Sequence, residues 1–111
     1  HQVGGMEPRA CDRPLTPPTA ASVYPAAVEI TAFQELMEVL YGEGDRERGV
    51  PATVAWLAEE VGELAQAVRK GTREQQLHEF GDVFAWLCSL ANQMGVSLDE
   101  AAQRYVDDPP L

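Results

Sequence analysis

The sequence predicts an all-α fold, an antiparallel helical bundle with four helices per chain that homodimerisation completes, and three observations carry that expectation. Apolar residues recur at three- and four-residue intervals through most of the chain beyond residue 26. Glycine, proline and hydroxyl residues fall at the ends of those runs, where helices start and stop. No stretch alternates apolar and polar residues as a strand does, and no repeat of about 20 to 50 residues is present. A chain of 111 residues makes one domain. It can bury only a modest share of its surface, so a second copy would add core.

The elements follow in order. Residues 1–26 contain Pro8, Pro14, Pro17 and Pro18 and Pro25 but few large apolar side chains, and read as a flexible proline-rich arm. His1–Gly5, ahead of Met6, carries no functional reading. The helical domain is expected over 27–106. Ile30, Phe33, Leu36, Met37 and Leu40 mark a first helix from about Ala27 to Tyr41, with Gly42 and Gly44 expected to end it and Glu43 to Val50 to form a loop. Pro51 suits the first turn of a second helix, which runs to Lys70 with Val54, Leu57, Val61, Leu64 and Val68 as its stripe and Gly71 as its C-terminal cap.

Thr72 and Gln75 have the spacing of a capping box and introduce a third helix. Its expected buried face is Leu77, Phe80, Phe84, Leu87, Leu90, Ala91 and Met94, and Gly95 stops it. Ser97, followed by Leu98, Asp99 and Glu100, has the pattern of an N-cap with acids in the first turn, so a short fourth helix runs to about Val106. Residues 107–111 form a C-terminal tail.

Acids outnumber bases by 18 to 8, a formal charge of -10. That balance argues against nonspecific binding to nucleic acid or to an anionic membrane, where a basic surface is expected. No stretch approaches the roughly 20 apolar residues of a membrane span, and no segment resembles a signal peptide, so the expected location is the cytoplasm. Cys11 and Cys88 lack the spacing of a zinc site or a disulfide framework, and Cys88 reads as core.

Chemistry concentrates in two similar segments, Glu59-Glu60-Val61-Gly62-Glu63 and Glu79-Phe80-Gly81-Asp82. Each sets two carboxylates three residues apart on one helix face, where like charges repel unless a cation lies between them. At about 100° per residue, Glu60 and Glu63 fall on the flank of one stripe beside Trp56, and Glu79 and Asp82 on the matching flank of the next beside Trp86. If the helices pack antiparallel through their stripes, the four acids converge. Such a cluster suits hard divalent cations. One Glu-Glu-x-x-Glu alone is ordinarily a solvated face, and the second half-motif is what makes a metal centre the better reading. Gly62 and Gly81, each costing a helix about 1 kcal/mol relative to alanine, point to close backbone approach or a functional demand.

These residues resemble the all-α nucleotide pyrophosphohydrolases of the MazG type, whose signature is Glu-Glu-x-x-Glu on one helix and Glu-x-x-Asp on the next. The resemblance runs from about Glu29 to Tyr105. It includes Asp45-Arg46-Glu47-Arg48-Gly49, Trp56-Leu57-Ala58, Leu90-Ala91-Asn92 and Leu98-Asp99-Glu100-Ala101-Ala102. It implies Mg2+-dependent hydrolysis of a nucleoside or deoxynucleoside triphosphate to the monophosphate and pyrophosphate, as nucleotide-pool housecleaning, with Mn2+ as a substitute ion. It further implies a homodimer or a dimer of dimers. Carried over by position, Glu60, Glu63, Glu79 and Asp82 are the metal ligands, and Glu59 is a further ligand or the group that orients and deprotonates water. The chain departs from the family after Tyr105, where relatives commonly carry lysine or arginine and this one has Val106-Asp107-Asp108-Pro109-Pro110-Leu111.

Arg48 and Lys70, near the ends of the second helix, are candidate phosphate holders, although such side chains ordinarily face solvent. Trp86 either stacks on a base or packs in a dimer core. His78 reads as a helix-surface residue rather than a ligand, and Asn92 as a cap or a bridge between helices. A di-iron carboxylate bundle requires Glu-x-x-His pairs, and neither His1 nor His78 supplies one. The rival is a non-enzymatic acidic helical interaction or regulatory module, which explains the charge but not the repeated acid pattern.

Overall fold

The computed structural model describes residues 28–111. The arm expected over 1–26, Ala27 and Cys11 lie outside the described residues. Among the described residues the chain forms four α-helices and no strand: α1 (Ile30–Arg48), α2 (Val50–Lys70), α3 (Arg73–Met94) and α4 (Leu98–Asp107).

The first helix is longer than the sequence predicts. It continues through Gly42 and Gly44, and the expected loop over 43–48 is its last two turns. Two interior glycines cost about 1 kcal/mol each. Burial of Tyr41, Gly42 and Asp45 offsets that cost, as does a hydrogen bond in which Gln93 Nε2 donates to Asp45 O at 2.6 Å. The stop is Gly49, at φ 90, a conformation that glycine adopts far more readily than other residues. It serves at once as the C-cap of α1 and the residue before α2, with its N–H on Asp45 O and its own carbonyl accepting from Thr53 N and Thr53 Oγ1. Pro51 takes its expected place in the first turn of α2.

The α2–α3 connection is just Gly71-Thr72. Gly71 is in extended conformation, and a side chain there would meet Ala67 O at 2.8 Å and Ala67 Cα at 2.9 Å. The capping box forms as expected: Thr72 Oγ1 accepts from Gln75 N at 3.1 Å, and Thr72 N donates to Gln75 Oε1 at 2.9 Å. Gln76 Nε2 then donates to Ala67 O at 3.1 Å, tying the start of α3 to the end of α2. Trp56 lies against Trp86, Glu63 near Glu79 and Ala67 near Gln76, a reversed order that makes the two helices antiparallel.

The core joins Leu36, Met37 and Tyr41 of α1 to Ala85 and Cys88 of α3, with Phe33, Leu40 and Leu98 packed around it. Cys88 is fully buried, as expected of core, and burial pushes its thiol up to about 11. Gln34 and Asn92 bridge the helices. Gln34 Nε2 donates to Asn92 Oδ1 and Val96 O, its Oε1 accepts from Leu98 N, and Asn92 Nδ2 donates to Gln34 O. This knot fixes α4, which starts at the predicted Ser97 cap, against α1 and α3.

The predicted stripes of α2 and α3 are present, but they do not bind these helices to each other. Val54, Val61, Val68, Leu77, Phe80, Leu87 and Met94 all face outward. The face of α3 turned inward is Asp82, Ala85, Trp86, Cys88, Ser89 and Ala91, and that of α2 is Thr53, Glu60 and Ala67. Small and polar residues let the two backbones come close, while α1 covers α3 from another side. The expectation of close backbone approach at Gly62 and Gly81 also fails within the chain, since the space beside each is open.

Candidate metal centre

Because α2 and α3 meet through their polar flanks, the acids that a stripe-to-stripe packing would have left at the rim are drawn inside. Glu60 and Asp82 are each only 3% exposed, and Glu63 and Glu79 are half-buried. Carboxylate oxygens of Glu60, Glu63 and Glu79 lie within 4.8 Å of one another, and Glu79 also shares a second group of that size with His78 and Asp82. All four acids singled out from the sequence are therefore brought together, with Glu79 at the centre.

Such crowding has an electrostatic consequence. Burial pushes the Glu63 carboxyl up to about 7, helped by the negative charges of Glu79, Glu59 and Asp82. Glu79 Oε1 is buried with no hydrogen-bond donor on it among the described residues. A buried carboxylate oxygen of this kind is costly unless a donor or a cation meets it. The donor set of Glu60, Glu63 and Glu79 is all oxygen, which fits Mg2+ or Mn2+ and not a thiolate-seeking metal.

Glu59 is exposed and stands outside both groups, near enough to Glu63 to raise its affinity for a proton. Lys70 is exposed at the end of α2, where it lines a cleft of about 350 Å³ with Glu63, Gln66, Ala67, Gly71, Gln75 and Glu79. The cleft thus opens from the acids toward the α2–α3 turn.

Arg48 and Trp86 occupy a different setting. The Arg48 side chain is 8% exposed, with Nη1 2.8 Å from Asp45 Oδ1 and 3.4 Å from Thr53 Oγ1. Its guanidinium lies 5.0 Å from the centre of the Trp86 ring. Trp86 is 1% exposed and stacks on Trp56 at 5.9 Å, with the two rings 8° from parallel. An aromatic base inserted between parallel rings needs about 7 Å, twice the stacking distance. Arg48, Trp86 and the half-buried Trp56 therefore form one stacked set with Trp56 its most exposed ring.

Sequence reasoning missed four residues here. Asp45, the buried partner of Arg48, carried the signal of an i, i+3 acid–base pair. Gln66 of the cleft is a polar helix residue with no distinguishing pattern, and Gln75 shows in the sequence only its capping-box spacing to Thr72. His78, read as a surface residue, is 48% exposed, yet its Nε2 lies 3.4 Å from Asp82 Oδ2, and the i, i+4 spacing of the pair was the available clue.

With this geometry established, comparison with known families gives one match: residues 48–107 fit the MazG nucleotide pyrophosphohydrolase domain. No curated protein matches the chain. The matched span contains all four clustered acids, Glu59, Lys70 and Trp86, and begins at Arg48.

Proposed function

We propose that this chain, which belongs to the MazG nucleotide pyrophosphohydrolase family, hydrolyses a nucleoside or deoxynucleoside triphosphate to the monophosphate and pyrophosphate in a Mg2+-dependent reaction. The observation that carries the reading is the convergence of Glu60, Glu63 and Glu79 within 4.8 Å, with Asp82 joined through Glu79, on two helices of one chain. These four acids would hold the ion. When bound, Mg2+ or Mn2+ neutralises phosphate charge and activates water.

The chain's own groups supply the rest. Glu59, at the solvent edge of the acids, accepts the proton of the water as its oxygen attacks the α-phosphorus. The new P–O bond forms as the α–β bridging bond breaks, and pyrophosphate carries away the electron pair. Lys70 offsets phosphate charge in the cleft, opposite the acids that line it. Arg48 and Trp86 hold Trp56 as the wall beside the site, so their contribution to substrate binding passes through that ring.

A homodimer, alone or as half of a dimer of dimers, completes the bundle. Val54, Val61 and Val68 recur every seven residues with Leu57 and Leu64 between them, and Leu77, Phe80, Phe84, Leu87 and Met94 follow a similar spacing on α3. Two parallel seams on one hairpin match a second copy of themselves turned through a two-fold axis. Housecleaning of the nucleotide pool in the cytoplasm is the role such an activity fits. Among the described residues no helix is long and apolar enough to cross a membrane.

Pyrophosphate release tests the reading, measured on a panel of standard and modified NTPs and dNTPs with Mg2+, with Mn2+ and with chelator. Metal-dependent release from at least one member is expected, and Glu63→Gln should lower it on the order of 100-fold or more, the scale of losing one electrostatic stabiliser, with helicity unchanged. Silence across the panel, with no metal bound by calorimetry, would favour an acidic interaction module instead.

A further inference from the structure

His78 stands one helical turn before Asp82 on α3, and residues four apart on a helix point the same way. With Glu79 they offer three donor atoms within 4.8 Å of one another. This group differs from Glu60, Glu63 and Glu79 in one chemical respect: one of its donors is an imidazole nitrogen. His78 is 48% and Asp82 3% exposed, so the imidazole is the solvent-accessible member of the pair. Glu79 Oε1, buried and with no hydrogen-bond donor among the described residues, belongs to the same group.

The geometry points to a mixed nitrogen and oxygen metal position at His78, Glu79 and Asp82, which binds Co2+ and Mn2+ more tightly than Mg2+. The inference rests on the acids being a metal centre and adds what His78 does to its selectivity. Mg2+ takes oxygen ligands and gains little from an imidazole, whereas first-row transition ions bind nitrogen well, with affinity rising from Mn2+ to Co2+. Glu79 is common to both groups, so occupancy of one position is felt at the other.

Calorimetric titration of the full chain with Mg2+, Mn2+ and Co2+ separately, for the wild type and for His78→Gln, tests this. Glutamine keeps a polar, helix-favouring side chain at the position. Affinity for Co2+ should fall about 10-fold or more in the variant, as expected on losing one ligand or its support, while that for Mg2+ changes less than about twofold. The visible absorption of bound Co2+ should shift as the nitrogen donor is lost, and Co2+ should broaden the His78 ring resonances of the wild type. Equal losses for both ions, or no loss for either, would overturn the inference and leave His78 as a partner of Asp82 only. In either case the wild type still binds Mg2+ and releases pyrophosphate, which separates this failure from failure of the metal centre itself. If no ion binds the wild type at all, both readings fall.

Discussion

Glu63 concentrates the conflict that the fold builds into its acids. Its carboxyl is pushed up to about 7 from an ordinary 4.5 by burial and by Glu79, Glu59 and Asp82, so the folded chain holds a proton there that the unfolded chain releases. The stability this proton confers is complete below about pH 4.5 and is lost as pH rises through about 7. The metal-free protein is therefore expected to melt at a higher temperature near pH 5.5 than near pH 8. Added Mg2+ should raise the melting temperature more at pH 8, where Glu63 is already ionised. Calorimetry near pH 6.5 in two buffers of different ionisation enthalpy should show proton release on metal binding, and identical heats would refute the assignment. The clustering of the four acids was legible because like charges at i and i+3 on two consecutive helices need an explanation within the chain. The surroundings of Arg48 and Trp86 were not, because sequence spacing reports which face a side chain shares and not what covers that face. The guanidinium that reads as a phosphate holder is occupied by Asp45 and laid over a buried ring.

At the scale of the element, three glycines have different meanings, and substitution separates them. Gly71→Ala would drive a methyl into the Ala67 carbonyl and Cα, backbone atoms that cannot turn aside, and is expected to destabilise by about 1–3 kcal/mol. Gly62→Ala and Gly81→Ala meet open space in helix interiors, and each should stabilise the single chain by about 0.5–1 kcal/mol. Denaturant midpoints at a concentration too low for association measure all three, and a loss of stability at Gly62 or Gly81 would show a close contact that the chain alone does not contain. Caps were the most legible part of the fold. Thr72 with Gln75 and Ser97 both close the hydrogen bonds their spacing predicts, since a cap is settled within four residues. The end of α1 was not legible. A glycine disfavours helix by only about 1 kcal/mol, and Tyr41, Asp45 and Gln93 make contacts across the fold that outweigh it.

At the scale of the whole molecule, the same hydrophobic period had two possible destinations, and the sequence alone did not choose between them. A stripe of Val54, Val61 and Val68 or of Leu77, Phe80 and Leu87 states that something apolar must cover it, without saying whether that is the neighbouring helix or another chain. The structure gives the α2–α3 contact to acids, alanines and tryptophans, and leaves apolar side chains of both stripes exposed. Covering them with a second copy would remove apolar surface from water, and a charge of -10 on each copy is the force that opposes it. Screening that repulsion should favour association, so dimer affinity is expected to rise with ionic strength from about 0.01 M to 0.15 M, where the Debye length falls from about 30 Å to 8 Å. Sedimentation equilibrium across that range measures it directly. Phe80→Lys places a charge in the α3 seam and should give a monomer, whereas Val39→Lys, at a residue 72% exposed on α1, which carries neither seam, should leave the mass unchanged. A wild type that stays monomeric at every ionic strength, or a Phe80→Lys chain that still dimerises, would place the partner surface elsewhere. If the dimer dissociates and pyrophosphate release survives intact, the site needs nothing from the second copy, as expected when all four acids proposed to hold the ion belong to one hairpin.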